Sequence, residues 1–155
     1  NNEDTSTVYG GFILKNKNSF KVDYPGEEIL YDGKWLWSKN KKTKQTIVEE
    51  FKPSSSLSLI YDVINGNLSD YNADEIDEKD GTHKISLTPE GGNNFFKNIE
   101  LTVDTSEIIH YVEYTDFKEN KTLIEFNNIK NVNIEDSTYY ELREVEQDNL
   151  IDLRP

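Results

Sequence analysis

Residues 20–37, FKVDYPGEEILYDGKWLW, set three alternating apolar segments one after another, with a tight-turn signal at each junction. Phe20, Val22 and Tyr24 alternate with Lys21 and Asp23, the period of a strand with one apolar and one wetted face. Pro25-Gly26 suits a type II turn, because proline presets φ at the first central position and glycine accepts the positive φ of the second. Ile29 to Tyr31 follow, and Asp32-Gly33 is a strong short-range hairpin signal. The last segment, 34–39, places Trp35 and Trp37 on one face. The stretch reads as an antiparallel meander whose aromatic faces must be covered, either by the protein's own core or by a ligand.

Working outward, residues 1–6 are polar, and 8–15 read as a strand with Phe12 and Leu14 on one face. Downstream, the basic tip 39–44 reads as a solvated hairpin loop leading into a strand over 45–51. Ser54-Ser55-Ser56, then Leu57, Leu59, Ile60, Tyr61, Val63 and Ile64, then Gly66, give serine caps, an apolar cluster and a terminating glycine. That is a short helix, apolar nearly all round, which suits either a core helix or a lid. Residues 68–80 are acidic and ambiguous, with a strand around Tyr71 and Ile76 the most they support. Four further strands, over 83–88, 95–103, 108–117 and 123–129, continue as a meander. Leu150, Ile151 and Leu153 make a short extended piece.

The 155 residues are expected to form a single domain, with 34% apolar and 12% aromatic residues arranged at period two in a thin-walled, β-rich fold. Seventeen basic against 30 acidic residues leave a net charge of −13, which argues against nucleic acid and against an anionic membrane surface. There is no cysteine, hence no disulfide and no thiol nucleophile. No apolar run approaches the ~18 residues of a membrane span, and no signal peptide is evident. With no methionine either, the chain is expected to be a mature or trimmed segment, from which an export signal could have been removed.

Chemistry-bearing motifs are sparse. His83 and His110 sit on different expected strands without metal-ligand spacing, so no metal site is expected. Gly91-Gly92 lacks the lysine of a phosphate loop and reads as a turn. Asp70-Tyr71-Asn72-Ala73-Asp74 copies the opening of a calcium loop, but Glu75 and Gly81 stand where a glycine and a glutamate are required. No nucleophile, acid or base assembles, and the chain is expected not to be an enzyme and to need no cofactor. The apolar inventory remains: a curled antiparallel sheet can enclose a cavity that accepts apolar ligands.

These residues resemble the LolA family of periplasmic lipoprotein carriers. The similarity runs from Gly10-Gly11-Phe12 through Phe20, Val22, Tyr24 and Asp32-Gly33-Lys34 with Leu36-Trp37. It continues through Gln45, the serine-led helix, Leu87-Thr88-Pro89, Leu101 to Asp104 and Ile151-Asp152-Leu153-Arg154, an ending that resembles carriers of the Bacteroidetes type. The resemblance implies a mainly β fold with an α lid: an incomplete, half-open antiparallel β-barrel covered by short helices. Two departures stand out. The family's usual first helix and strand would lie upstream of Asn1, and Asn16-Lys17 stands where many members have an Arg-Pro pair that ties the lid, with Lys15 or Lys17 as the available substitute.

The resemblance further implies a monomeric periplasmic chaperone that receives acylated lipoproteins from an inner-membrane release transporter and delivers them to an outer-membrane acceptor. On this reading Phe12, Leu14, Phe20, Val22, Tyr24, Ile29 and Tyr31 line the concave wall, with Trp35 or Trp37 at its margin and Leu57, Ile60, Tyr61 and Ile64 covering it. At ~0.8 kcal/mol per methylene, a sixteen-carbon chain would gain about 12 kcal/mol if fully enclosed, so partial exposure and lid displacement are needed for release. The alternative is a related half-barrel that acts as a lipid-responsive regulator or protein-interaction module without transport.

Overall fold

The computed structural model describes residues 5–15, 18–52, 56–90, 95–133 and 140–155. The chain is mainly β and gathers into two compact units, residues 1–52 with 132–155, and residues 53–131. Neither sheet closes on itself. The expected features at Asn16-Lys17, Ser54-Ser55 and Gly91-Gly92 lie outside the described residues.

The first unit holds a six-stranded sheet. β1 (Gly11–Lys15), β2 (Ser19–Asp23), β3 (Glu27–Tyr31), β4 (Trp35–Asn40) and β5 (Thr46–Glu50) lie side by side in chain order and antiparallel. The alternation read from the sequence therefore becomes one meander. Its register pairs Leu14 with Phe20, Phe20 with Tyr31, Val22 with Ile29 and Tyr31 with Leu36. One face thus carries Phe12, Leu14, Phe20, Val22, Ile29, Tyr31 and Leu36. The opposite face carries Lys21, Glu28, Leu30, Trp35, Trp37, Lys39, Thr46 and Val48.

The turns explain the register. Asp32 accepts hydrogen bonds from the backbone N–H groups of Lys34 (2.9 Å) and Trp35 (2.8 Å), while Gly33 takes φ +95°, the positive φ that a type II′ hairpin needs at its first central residue. Pro25-Gly26 also closes a two-residue loop, with Tyr24 and Glu27 bonded through their backbones, but Gly26 is absent from the residues of positive φ. The expected type II turn is therefore corrected, since that type needs positive φ at its second central position. Gly10 has a steric reason to lack a side chain, because a Cβ there would lie 2.6 Å from the carbonyl oxygen of Asp23.

The extended piece at the far end of the sequence becomes β11 (Leu150–Asp152), which pairs parallel with β5: Leu150 with Thr46, Ile151 with Ile47, Asp152 with Val48. Residues 140–144 cross the face that carries Lys21 and Lys39. Lys15 Nζ sits 4.3 Å from the Tyr140 ring centroid, Lys21 Nζ donates to the Glu141 carbonyl at 2.8 Å, and Lys39 Nζ donates to the carbonyls of Arg143 and, at 2.5 Å, Glu144. Lys21 Nζ also lies 2.6 Å from Glu28 Oε1, an ion pair whose members are both buried. Lys15 is thus occupied by Tyr140.

The second unit opens with α1 (Ser56–Asn65) and continues with β6 (Tyr71–Lys79), β7 (Thr82–Pro89), β8 (Phe96–Asp104), β9 (Ile109–Asp116) and β10 (Lys121–Glu125), an antiparallel five-stranded meander. α1 ends where glycine was expected to stop it. Gly66 has φ +68°, its N–H bonds the carbonyl of Val63, and the N–H of Asn67 bonds that of Asp62, a Schellman motif. Leu59 and Val63, one turn apart, pack on the sheet with Leu87, Phe96, Ile99, Leu101, Val112 and Tyr114. The ambiguous acidic stretch is a full nine-residue strand, β6, with a bulge between Glu75 and Asp77. The bulge shifts the alternation by one, which is why no period was visible there.

Candidate functional site

The apolar face of the first sheet is built around four rings. Phe20 stacks on Phe12 at 5.7 Å between centroids and meets Tyr31 at 5.5 Å and Phe51 at 5.6 Å, while Tyr31 and Phe51 approach to 4.6 Å. These separations lie in the range where aromatic pairs add to simple burial. Phe20 is wholly buried and Ile29 buried, whereas Phe12, Leu14, Val22, Tyr24 and Tyr31 are half-buried. Tyr24 donates its hydroxyl to Glu27, and burial together with that bond pushes its pKa up to about 12, so it stays a neutral donor at the rim.

Strand parity brings six of the seven expected wall residues to this face, with Tyr24 just past the end of β2, and sends the two tryptophans to the other. Trp35 and Trp37 belong with Leu30 and Lys39, where the Trp37 indole donates to Asp32 Oδ2 at 2.9 Å and the Arg154 guanidinium lies 5.8 Å from the Trp35 ring and 5.5 Å from that of Trp37. They do not border the wall. Burial raises Asp32, but bonds from the Trp35 N–H, the Trp37 indole and the Lys34 N–H outweigh it and, with Arg154 nearby, hold the carboxyl below its ordinary range. Leu36 and Phe51 take the place of the tryptophans on the apolar face. Phe51 shares the parity of Ile47 and was legible as such. Leu36 was hidden between two larger side chains.

In the second unit the four expected covering residues form one stripe of α1. Leu57, Ile60, Tyr61 and Ile64 follow i, i+3, i+4, i+7 and are separate from Leu59 and Val63, which hold the helix to its own sheet. Ile60 is buried, and Leu57, Tyr61 and Ile64 are half-buried. The helix thus has one side anchored and a second apolar side outside that core cluster.

The same unit has a shallow open cleft of about 410 Å³, lined by Ala73, His83, Ile85, Val103, Asp104, Thr105 and Glu107. His110 Nε2 lies 2.9 Å from Asp104 Oδ2, and this bond, followed by the N–H groups of Ile108 and Ser106, holds Asp104 below the usual carboxylate range. Among the described residues no group of three or more His, Cys, Asp or Glu converges as metal ligands. The Asp70–Asp74 stretch runs into extended strand from Tyr71, not into the tight loop that wraps ligands around a calcium ion.

A mainly β protein of unclosed, largely antiparallel sheets with apolar faces is the class these features define. The family model described as outer membrane lipoprotein carrier protein LolA matches residues 1–140, and the chain belongs to that family. An uncharacterized conserved protein from Thermus thermophilus shares the fold, with a TM-score of 0.57 at 15% identity over 94% of this chain and 82% of that one. No match was found among curated proteins. The family is one of periplasmic lipoprotein carriers, not enzymes, and membership supports a function of the lipoprotein-carrier type. No described helix is long and apolar enough to cross a membrane.

Proposed function

We infer that this protein is a monomeric periplasmic carrier of half-open-barrel fold that takes acylated lipoproteins from an inner-membrane release transporter and hands them to an outer-membrane acceptor. The acyl chains lie along Phe12, Leu14, Phe20, Val22, Tyr24, Ile29 and Tyr31, and the α1 stripe Leu57, Ile60, Tyr61 and Ile64 covers them. The observation that carries this reading is the aromatic face of the first sheet, half-buried at five of its seven expected wall positions and knit by ring contacts. Half-burial suits transfer. A fully enclosed chain would be held by about 12 kcal/mol, at ~0.8 kcal/mol per methylene, and would not leave.

The test is native mass spectrometry of the protein with a triacylated lipoprotein, alongside Leu14→Arg and Leu57→Arg. Both positions are half-buried and outside the second unit's core cluster, so an arginine there can reach water. A one-to-one complex lost in both variants is expected. No complex with the folded unmodified protein refutes the carrier, and a complex that survives Leu57→Arg refutes the helix as cover.

A further inference from the structure

We propose that the 140–155 segment is a resident ligand in a strand-addition groove, and that this groove accepts in its place an extended peptide of a partner protein that presents an arginine to Trp35 and Trp37. Three properties of the groove point this way. First, its grip is blind to sequence: Lys21 and Lys39 donate to main-chain carbonyls at 141, 143 and 144, and β11 is held by the backbone ladder of β5. Any extended chain offers the same carbonyls.

Second, its selectivity is concentrated at Arg154, the other side-chain contact being Lys15 over the Tyr140 ring. Asp32 fixes the Trp37 indole by a hydrogen bond, its own backbone bonds set the hairpin, and the two rings carry the Arg154 guanidinium while Asp152 pairs with that same group. An arginine over aromatic faces beside a carboxylate is a cation-recognition arrangement, and the arginine of a partner segment is drawn to a chain of net charge −13.

Third, the resident segment is a weak occupant. The strand it adds is three residues long, none of residues 140–155 is fully buried, and Ile151 and Leu153 are 38% and 57% exposed. Beneath it the Thr46 hydroxyl is buried and has no hydrogen-bond partner among the described residues. The lysines it covers regain water when it lifts, which offsets part of what is lost over Val48 and Leu30 on the same face. A longer partner strand that also reaches Thr46 would bind better than the segment in place.

The experiment uses the full chain and a labelled synthetic peptide, EQDNLIDLRP, the sequence of residues 146–155. Arg154→Ala removes the resident arginine and leaves the groove intact. It is expected to bind the peptide at least tenfold more tightly than the unmodified chain by fluorescence anisotropy. A peptide with alanine for its arginine should lose that gain. Trp35 and Trp37 are the chain's two tryptophans, so their emission should shift in Arg154→Ala and return on adding peptide. With circular dichroism confirming the fold, unchanged emission, no tighter binding, or equal binding of the alanine peptide each overturns the proposal. A dimer of Arg154→Ala in sedimentation velocity would also overturn it, since the occupant would then be a second copy.

Discussion

Replacing Glu28 with glutamine removes one charge from the least hydrated ionic site described here. Glu28 is 3% exposed, and the two lysines on its face, Lys21 and Lys39, are 6% and 3% exposed. Its Oε1 lies 2.6 Å from Lys21 Nζ, and Lys39 is its cross-strand partner. Breaking a buried pair by removing one charge typically costs roughly 3–5 kcal/mol, because the remaining charge stays desolvated. Here both ammonium groups keep main-chain carbonyls as acceptors, which places Glu28→Gln near the lower end, about 3 kcal/mol. For a chain of this size that lowers Tm by roughly 6–12 °C. Calorimetry or urea unfolding reads the effect directly. The control is Glu100→Gln, whose partner Lys84 has a 44% exposed side chain and whose pair is screened by water, so the loss should stay below about 1 kcal/mol. Lys21→Met combined with Glu28→Leu should recover most of the Glu28→Gln loss, because it removes the desolvated pair together. Equal losses for Glu28→Gln and Glu100→Gln would refute the reasoning.

Three further outcomes follow from other sites. Leu59→Ala, at a fully buried core position, should destabilise by about 2–5 kcal/mol, and Leu57→Ala by clearly less, in urea unfolding. Gly10→Ala should lose roughly 1–3 kcal/mol, since the new Cβ would meet the Asp23 carbonyl oxygen at 2.6 Å and backbone would have to shift; an unchanged Tm would show that the approach relaxes freely. Burial, then repulsion from Asp70, raise the Asp62 carboxyl against the lowering bond from Asn67. A raised folded-state value means that its ionised form opposes folding, so this penalty is present above the folded pKa and fades as pH falls towards the unfolded one. Asp62→Asn should therefore raise the urea midpoint at pH 7, with the advantage lost in acid; a loss of stability at pH 7 would contradict the sign.

The meander from Phe20 to Trp37 was legible because period-two alternation and hairpin residues agree, and each expected strand there is present within a residue or two. Even the error over the tryptophans was avoidable. A two-residue hairpin loop pairs odd positions of one strand with even positions of the next, so Tyr31 and Ile29 could share a face with Leu36 but not with Trp35 or Trp37. The size of the indoles drew attention from the parity. β6 was obscured by its bulge, and the site formed by Lys21, Lys39 and residues 141–144 could not be read at all, since buried lysines and main-chain carbonyls have no local signature in sequence. The parallel pairing of β11 with β5 was likewise out of reach, being set by long-range docking and not by a turn.

That pairing has a consequence for how the molecule is made. Residues 150–152 complete a sheet whose other strands emerged about a hundred positions earlier, whereas the whole of the second unit, 53–131, is continuous in the chain. A polypeptide delivered amino end first can assemble the second meander while the first still waits for its final strand. Until then the β5 edge and the lysine-bearing face stand open, and the nascent protein is most exposed to mispairing in its oldest part.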